Sequence, residues 1–226
     1  ELAFVCTRES TLKGKMKKVI GINGSPRRNG NTAGMIRSAL EGAKSMGAET
    51  EFIQLSDLHF SGCKSCFGCK LLGGPSFGKC ALKDDLTPVL EKILAADAVV
   101  IGSPVYFGDV TGSVRNLMER LLFPNCTYTR ERVPAYSKRV NVGLIFTMNV
   151  KDPASGHSAD IPRIEQSFAN FLGDVHTVVH ANSCQFDDYS KYSCEIFDPV
   201  EKAKVKKEVF PKDCEKAFEM GKTLVK

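Results

Sequence analysis

The segment at residues 18–32, KVIGINGSPRRNGNT, constrains the fold more than any other, because it predicts a strand, a turn and a helix in direct succession. Residues 19–22 form a short apolar run of the kind found in buried parallel strands. The turn formers at 23–26 follow, and Asn31 and Thr32 stand where a helix would begin. A strand that leads through a polar loop into a helix is the repeating unit of an α/β sheet.

The polar loop of this segment also has the chemistry of a phosphate site. The first N–H groups of a helix lack internal partners, and the helix dipole adds partial positive charge there. The loop contains neither the GxxxxGK(S/T) of nucleoside triphosphate sites nor the GxGxxG of dinucleotide sites, which favours a phosphate monoester. The alternative is an ordinary βα turn with a well-capped helix. Donor side chains and charges are supplied here by Ser25, Arg27, Arg28, Asn29, Asn31 and Thr32.

Apolar runs and helical periodicities alternate along the rest of the chain. They predict strands at 17–22, 50–55, 98–102, 140–146 and 175–180, and helices at 32–46, 86–96, 111–122 and 161–172. A helical tail at 200–226 is predicted to break near Pro211, and long connections at 124–138 and 181–199 are expected to be functional or to form interfaces. Five strands with intervening helices imply an open parallel sheet with helices on both faces.

Length, charge and hydropathy exclude several classes of protein. The 226 residues suit one α/β domain, predicted at 16–226 with a cysteine-rich insert at 57–84. The apolar runs are too short to span a membrane and the net charge of +5 is too modest for a nucleic-acid face, so a soluble, cytoplasmic protein is expected. Residues 1–15 lack a signal-peptide core and are expected to be an extension or a cloning remnant, with Met16 as the natural start.

A second loop, at residues 103–108 after the predicted third strand, mixes a rigid turn with aromatic side chains. Pro104 fixes the chain direction, the N–H groups of residues 105–108 could reach ring heteroatoms, and Tyr106 or Phe107 could pack against a ring. The alternative is an ordinary turn whose aromatic side chains cap the core. Each of the two loops follows a predicted strand, and we expect the two strand ends to be adjacent in the sheet. In parallel sheets, ligands bind beyond the carboxyl ends of the strands. A phosphate pocket beside a ring platform predicts a flavin mononucleotide (FMN) site.

The chain resembles the NADPH-dependent FMN reductase family, and within it the iron–sulfur flavoprotein-like branch. The resemblance is carried by GINGSPRRNGNT, by CKSCFGCK followed by GKCALKDDL, by ADAVVIGSPVYFGDVTGSVRNLMERL, and by QFDDYSKY and FPKDCEKAFEMGK in the tail. It runs from about Lys17 to Leu224. It implies a flavodoxin-like fold, a doubly wound five-stranded parallel sheet of order 2-1-3-4-5 with helices on both faces, bound FMN, and a homodimer or homotetramer.

The resemblance also assigns roles to individual residues. By position it implies that the FMN phosphate is held by Ser25, Arg27, Asn29, Asn31 and Thr32. It implies that the isoalloxazine ring is lined by Pro104, Val105, Tyr106, Phe107 and Gly108. Ring or ribitol contacts are carried over to Thr147 and Asn149.

Four cysteines form a second cluster of chemistry-bearing residues: Cys63, Cys66, Cys69 and Cys80. Thiolates three residues apart can converge on one centre, and a [4Fe–4S] cluster takes four such ligands. The gap before Cys80 spans at most about 36 Å when extended, so reach is not limiting, but it carries an insertion at 71–77 that departs from the compact spacing of the branch. Free thiols and a structural zinc site are the alternatives. The scattered cysteines are expected to be buried or incidental thiols: Cys6, Cys126, Cys184, Cys194 and Cys214.

These patterns, with the resemblance, predict an FMN-dependent oxidoreductase. NADPH or NADH, between which the sequence does not choose, reduces the flavin, which passes electrons to a quinone, a nitro or azo compound, another flavin or an iron–sulfur centre. No catalytic side chain is predicted, because the flavin carries the chemistry; His157 is expected in a surface loop, and His176 and His180 to be structural. One alternative is an electron carrier in which ferredoxin reduces a cluster at Cys63–Cys80 without direct NAD(P)H turnover. Another is a flavin-binding or zinc-bearing interaction protein.

Overall fold

The computed structural model describes residues 16–131, 135–153 and 161–226. Its strands are β1 (Lys18–Asn23), β2 (Glu49–Gln54), β3 (Ala98–Pro104), β4 (Asn141–Thr147) and β5 (Val175–His180). Its helices are α1 (Asn31–Ser45), α2 (Leu86–Ala95), α3 (Gly112–Leu122), α4 (Ile161–Phe171), α5 (Pro199–Lys204) and α6 (Phe210–Thr223). The predicted extension at 1–15, with Cys6, and the predicted surface residue His157 lie outside the described residues.

The strands form one parallel sheet in the order β2-β1-β3-β4-β5, which confirms the predicted fold class and strand order. The three central strands are almost entirely buried, whereas β2 and β5 at the edges are partly exposed. Successive residues face opposite sides, so Ile20 and Ile22 pack in the core beneath α2, α3 and α4, while Val19 packs beneath α1 and α6. Both faces are therefore covered, as the continuous apolar runs predict.

The tail is part of the fold, because α6 packs directly on α1. A Cβ atom added at Gly42 of α1 would lie 1.9 Å from the carbonyl oxygen of Phe218, and one at Gly221 of α6 would lie 1.8 Å from that of Ala39. Only glycine permits this approach of two helix backbones. The predicted break near Pro211 is instead a π-helical turn (Val205–Val209) that runs continuously from α5 into α6. The proline occupies the first turn of α6, where its missing N–H has no helical partner to lose.

The carboxyl ends of β3 and β4 lie side by side, since β3 extends two residues beyond its predicted end and Pro104 pairs with Thr147. A 3₁₀ turn at Leu55–Asp57 leads into the cysteine-rich insert, whose own regular structure is a second short 3₁₀ turn at Gly68–Lys70. At the end of β5, His180 is buried and its Nδ1 lies 2.9 Å from the Asp213 carboxylate of α6, in agreement with the structural role expected for it. Among the described residues no helix is long and apolar enough to cross a bilayer.

Candidate cofactor-binding site

A cavity of about 460 Å³ opens at the carboxyl ends of β1, β3 and β4 and beside the loop that follows β5. This volume falls within the range of small-molecule sites. Of the twelve residues predicted to contact a cofactor, the structure brings ten to the cavity: Ser25, Arg27, Asn29, Asn31, Thr32, Pro104, Val105, Tyr106, Thr147 and Asn149. Phe107 and Gly108 are not among its lining residues.

One end of the cavity is the open N-terminus of α1. Gly30 occupies the N-cap position, no side chain caps the helix, and no acidic residue stands in its first turn. The good N-cap that the alternative of an ordinary turn predicts is therefore not found at this helix. Uncapped N–H groups, the positive end of the helix dipole and the charge of Arg27 together favour a bound anion.

A buried amide network holds the loop between β1 and α1 in shape. The Asn23 side chain donates to Gln54 Oε1 (2.7 Å) and accepts from the Ser25 backbone N–H (3.1 Å). Gln54 in turn donates to the Ser25 carbonyl (2.7 Å). Gln54 ends β2, the position at which dinucleotide-binding proteins carry an acidic residue. Its contribution is to fix the loop, a role that the sequence pattern did not indicate.

A tight turn closes the loop after β3 and limits what it can offer a ligand. The N–H of Tyr106 donates to the Asp109 carbonyl (2.8 Å) and Asp109 donates back (3.0 Å). Phe107 and Gly108 then take φ angles of +51° and +85°, and the Phe107 side chain is fully exposed. The Val105 N–H donates to the Thr147 carbonyl (2.9 Å). The prediction that the N–H groups of Val105 and Tyr106 face a ring is wrong, because both are used within the fold.

The loop after β5 supplies a wall of the cavity that strand-end reasoning missed. Its lining residues are Ser183, Cys184, Gln185, Phe186 and Asp187, joined by Lys206 from the π-helical turn. Arg27 donates to the Gln185 carbonyl (2.7 Å), and Asn31 donates to the Cys184 carbonyl (3.0 Å). Lys206 lies 2.9 Å from Asp187, and this hydrogen bond and charge lower the pKa of that carboxyl. The sequence signals for this wall were the length of the connection at 181–199 and the resemblance of QFDDYSKY at residues 185–192, neither of which indicated that it lines the cavity.

The four cysteines of the predicted cluster line a separate, small pocket together with Arg120. Ser65 and Phe67, which stand on either side of Cys66, take left-handed φ angles of +53° and +55°, a costly conformation for residues other than glycine. Burial raises the pKa of the Cys69 thiol. Within the described ranges all cysteines are free, and no three His, Cys, Asp or Glu side chains converge closely enough to hold a metal ion.

Arg120 is the buried charge of this pocket. Its Nε donates to Cys80 Sγ (3.3 Å), and its Nη1 donates to the Asp84 carboxylate (2.5 Å) and the Ser61 carbonyl (3.2 Å). Nη2 is buried and has no hydrogen-bond partner among the described residues. Four thiols and one buried guanidinium therefore line the same small pocket, and in this structure the sulfur atoms lie too far apart to hold a metal ion together.

Comparison with known proteins identifies a family that the chain matches. A model of the NADPH-dependent FMN reductase family matches residues 17–140. An iron-sulfur flavoprotein of Methanocaldococcus jannaschii is 46% identical over 103 residues, which are 46% of this chain and 51% of that protein. One of Archaeoglobus fulgidus is 40% identical over 127 residues, 56% of this chain and 60% of that protein. The chain thus matches between half and 60% of the length of these curated relatives.

Solved structures show the same fold. An NAD(P)H:quinone oxidoreductase from Methanothermobacter marburgensis aligns with a TM-score of 0.67 at 12% identity, over 92% of this chain and 99% of that one. An azoreductase from Bacillus anthracis aligns with a TM-score of 0.64 at 15% identity, over 92% of this chain and 100% of that one. At such identities the likeness concerns the fold alone.

Proposed function

Because the chain belongs to the NADPH-dependent FMN reductase family, we propose that FMN occupies the cavity at the carboxyl ends of β1, β3 and β4 and that NADPH or NADH reduces it there. The observation that carries the proposal is the uncapped N-terminus of α1, which opens into a cavity of about 460 Å³. An anion at that end and a ring at the other match a phosphate monoester of a flavin.

The phosphate end is proposed to be held by the first turn of α1 and the preceding loop. Backbone N–H groups of that turn donate to the anion, and Arg27, which lines the same cavity, adds positive charge. Arg27 is already anchored through Gln185, so little side-chain freedom is lost on binding. Side-chain donors in the proposed set are Ser25, Asn29, Asn31 and Thr32.

The ring end is proposed to lie between the loops after β3 and β4. Pro104, Val105 and Tyr106 offer apolar surface, and Thr147 and Asn149 offer polar groups. The turn at Phe107 and Gly108 holds Tyr106 at the mouth of the cavity rather than contributing to its lining. Bound FMN supplies hydride acceptance and onward electron transfer, and the chain supplies position and a fixed electrostatic field.

The electron acceptor is proposed to be a quinone, a nitro or azo compound, another flavin, or an iron–sulfur centre. A second candidate function is that of an electron carrier, in which ferredoxin reduces a [4Fe–4S] cluster held by Cys63, Cys66, Cys69 and Cys80. The pocket that these thiols share with Arg120 supports it, as do relatives named iron-sulfur flavoproteins. A cluster would also explain why strained Ser65 and Phe67 backbones occur in this loop.

Anaerobic reduction separates the two functions. Protein loaded with FMN is mixed with NADPH, with NADH or with reduced ferredoxin, and loss of the oxidised flavin absorbance is followed. Rapid bleaching by a nicotinamide supports the reductase, whereas bleaching by ferredoxin alone, together with about four irons per chain, supports the carrier. No bleaching by any of the three contradicts both.

Assembly and location are part of the same proposal. A cytoplasmic homodimer or homotetramer is expected from the family resemblance, and light scattering on the purified protein tests the oligomeric state. A single domain at 16–226, with the insert at 57–84 and the tail at 200–226, likewise stays a prediction, which limited proteolysis tests.

A further inference from the structure

Lys202 is a buried lysine beside the ring end of the cavity. Only 2% of the surface of Lys202 is exposed, although Ala203 and Lys204, which follow it on α5, face solvent. Its ammonium donates to Asn149 Oδ1 and to Asn182 Oδ1 (2.5 Å), and it lies 5.0 Å from the centre of the Phe197 ring. The acidic neighbour along the chain, Glu201, is ion-paired with Lys151 instead (2.5 Å).

Burying the Lys202 ammonium costs free energy, and attaching α5 to the fold does not require that cost. A buried ammonium loses its hydration, and neutral amide oxygens return less of that free energy than a carboxylate would. Burial lowers the pKa of Lys202, and the charge of Glu201 offsets this only in part. An apolar side chain of similar length would anchor α5 without that cost, so the ammonium calls for a further role.

The contacts of Lys202 fix the direction of one amide group in the cavity. Asn149 lines the cavity, and its oxygen is turned toward the ammonium, which leaves its NH₂ group to donate elsewhere. Asn182 is fixed in the same sense, because its NH₂ group donates to Glu201 (3.0 Å) while its oxygen accepts from Lys202. Asn182 thus holds the Lys202 ammonium on one side, and the ammonium orients the amide group of Asn149 on the other.

We infer that Lys202 is a positioning residue, which holds Asn149 as an N–H donor to an electron-rich atom at the ring edge of the cofactor. The inference rests on the proposed FMN site. Reduction adds negative charge to the ring, and a donor with an ammonium behind it stabilises the reduced form more than the oxidised form. Lys202 therefore raises both the affinity for FMN and the reduction potential of the bound flavin.

The test compares Lys202→Met with Lys204→Met, an exposed lysine two residues away on the same helix. FMN affinity is measured by quenching of flavin fluorescence, and the potential by spectroelectrochemical titration. Lys202→Met is expected to weaken binding about tenfold, and a further tenfold loss confined to the reduced form lowers the two-electron potential by about 30 mV. Lys204→Met is expected to change neither quantity.

A double-mutant cycle separates positioning from a merely structural role. If Lys202 acts through Asn149, Lys202→Met has no further effect on affinity or potential once Asn149→Ala is present, whereas a structural effect adds in full. Asn149→Asp is the second variant, because it keeps a partner for Lys202 but replaces the donor by an acceptor. It is expected to lose FMN affinity while its thermal melting is retained, and it decides the matter if Lys202→Met does not fold.

The results for these variants decide whether Lys202 positions Asn149. Additive effects of Lys202→Met and Asn149→Ala overturn the inference, as do unchanged affinity and potential in Asn149→Asp. A wild-type protein that binds no FMN contradicts the proposed function and this inference together. A wild-type protein that binds FMN, beside variants that bind it equally well, overturns the positioning role alone.

Discussion

The hydroxyl oxygens of Thr32 and Thr147 lie 2.8 Å apart and join the first turn of α1 to the carboxyl end of β4. Both side chains are buried, and both line the cavity. One hydroxyl donates to the other, so the accepting hydroxyl keeps its own hydrogen for a third group. In the proposed site that group belongs to FMN, and this contact links the phosphate end to the ring end.

Thr32→Ala is expected to weaken FMN binding by about 1.5–3 kcal/mol, the range of a hydrogen bond to a charged group. It also leaves the Thr147 hydroxyl without its partner. A fluorescence titration measures the affinity, with Thr223→Ala at the far end of α6 as the control. Equal affinity for wild type and Thr32→Ala would remove Thr32 from the site.

Arg27→Gln is expected to lower FMN affinity and to weaken its dependence on salt, because it removes a positive charge beside the phosphate. The matched control is Arg28→Gln, since the adjacent Arg28 pairs with Asp57 (2.5 Å) and does not line the cavity. Titrations at low and high ionic strength distinguish the two. Parallel salt dependences in wild type and Arg27→Gln would exclude a direct charge contact.

Cys66→Ser is expected to abolish iron binding without unfolding the domain, because it removes one of four proposed thiolate ligands. Iron and sulfide are assayed after anaerobic reconstitution. Cys214→Ser, in α6 and remote from the four thiols, should retain the wild-type iron content. Iron retained by Cys66→Ser would show that the ligand set is wrong.

Asp84→Asn is expected to destabilise the fold by about 3–5 kcal/mol at neutral pH, because it leaves the buried Arg120 guanidinium unpaired. Although burial raises the pKa of Asp84, the hydrogen bond and charge of Arg120 lower it below its ordinary value. The carboxylate therefore contributes its full stability above an unfolded pKa of about 3.9, and loses it as pH falls through the lower folded value.

Urea unfolding from neutral pH down to about pH 3 measures this contribution. The wild type should lose stability toward acid more steeply than Asp84→Asn. Asp174→Asn, which breaks an exposed pair with Arg139 (3.0 Å), should cost no more than about 1 kcal/mol. A neutral-pH stability of Asp84→Asn equal to that of wild type would refute the role given to this pair.

Gly42→Ala and Gly221→Ala are each expected to destabilise the protein by about 1–3 kcal/mol, because the added methyl group meets the backbone of the facing helix. Gly112→Ala is the control, since nothing lies within 4 Å of its added Cβ. Thermal unfolding compares the three variants. A stable Gly42→Ala protein would mean that α1 and α6 are not in backbone contact.

The sheet was predictable because its three central strands are largely apolar runs. The pocket was predictable because Ser25 lies just beyond β1 and Pro104 ends the adjacent strand β3. The wall from Ser183 to Asp187 was not, since a connection without periodicity carries no local sign of what it faces. The exposure of Phe107 follows from a turn with two left-handed residues, although phenylalanine gives no signal for that conformation.

The burial of Lys202 could not be predicted from the sequence either. Its place in a lysine-rich helix favours a solvated surface, and only the tertiary structure buries it beside Asn149. The orphaned Nη2 of Arg120 is likewise invisible in sequence, because burial and hydrogen bonding between distant segments decide it.

Calorimetric titration of the flavin-free protein with FMN and with riboflavin, which lacks the phosphate, tests the proposed cofactor site. If the open N-terminus of α1 and Arg27 hold the phosphate, FMN binds at one site per chain and riboflavin binds at least about tenfold more weakly. Equal affinities for the two flavins, or no binding of FMN, would contradict the proposal that this cavity is an FMN site.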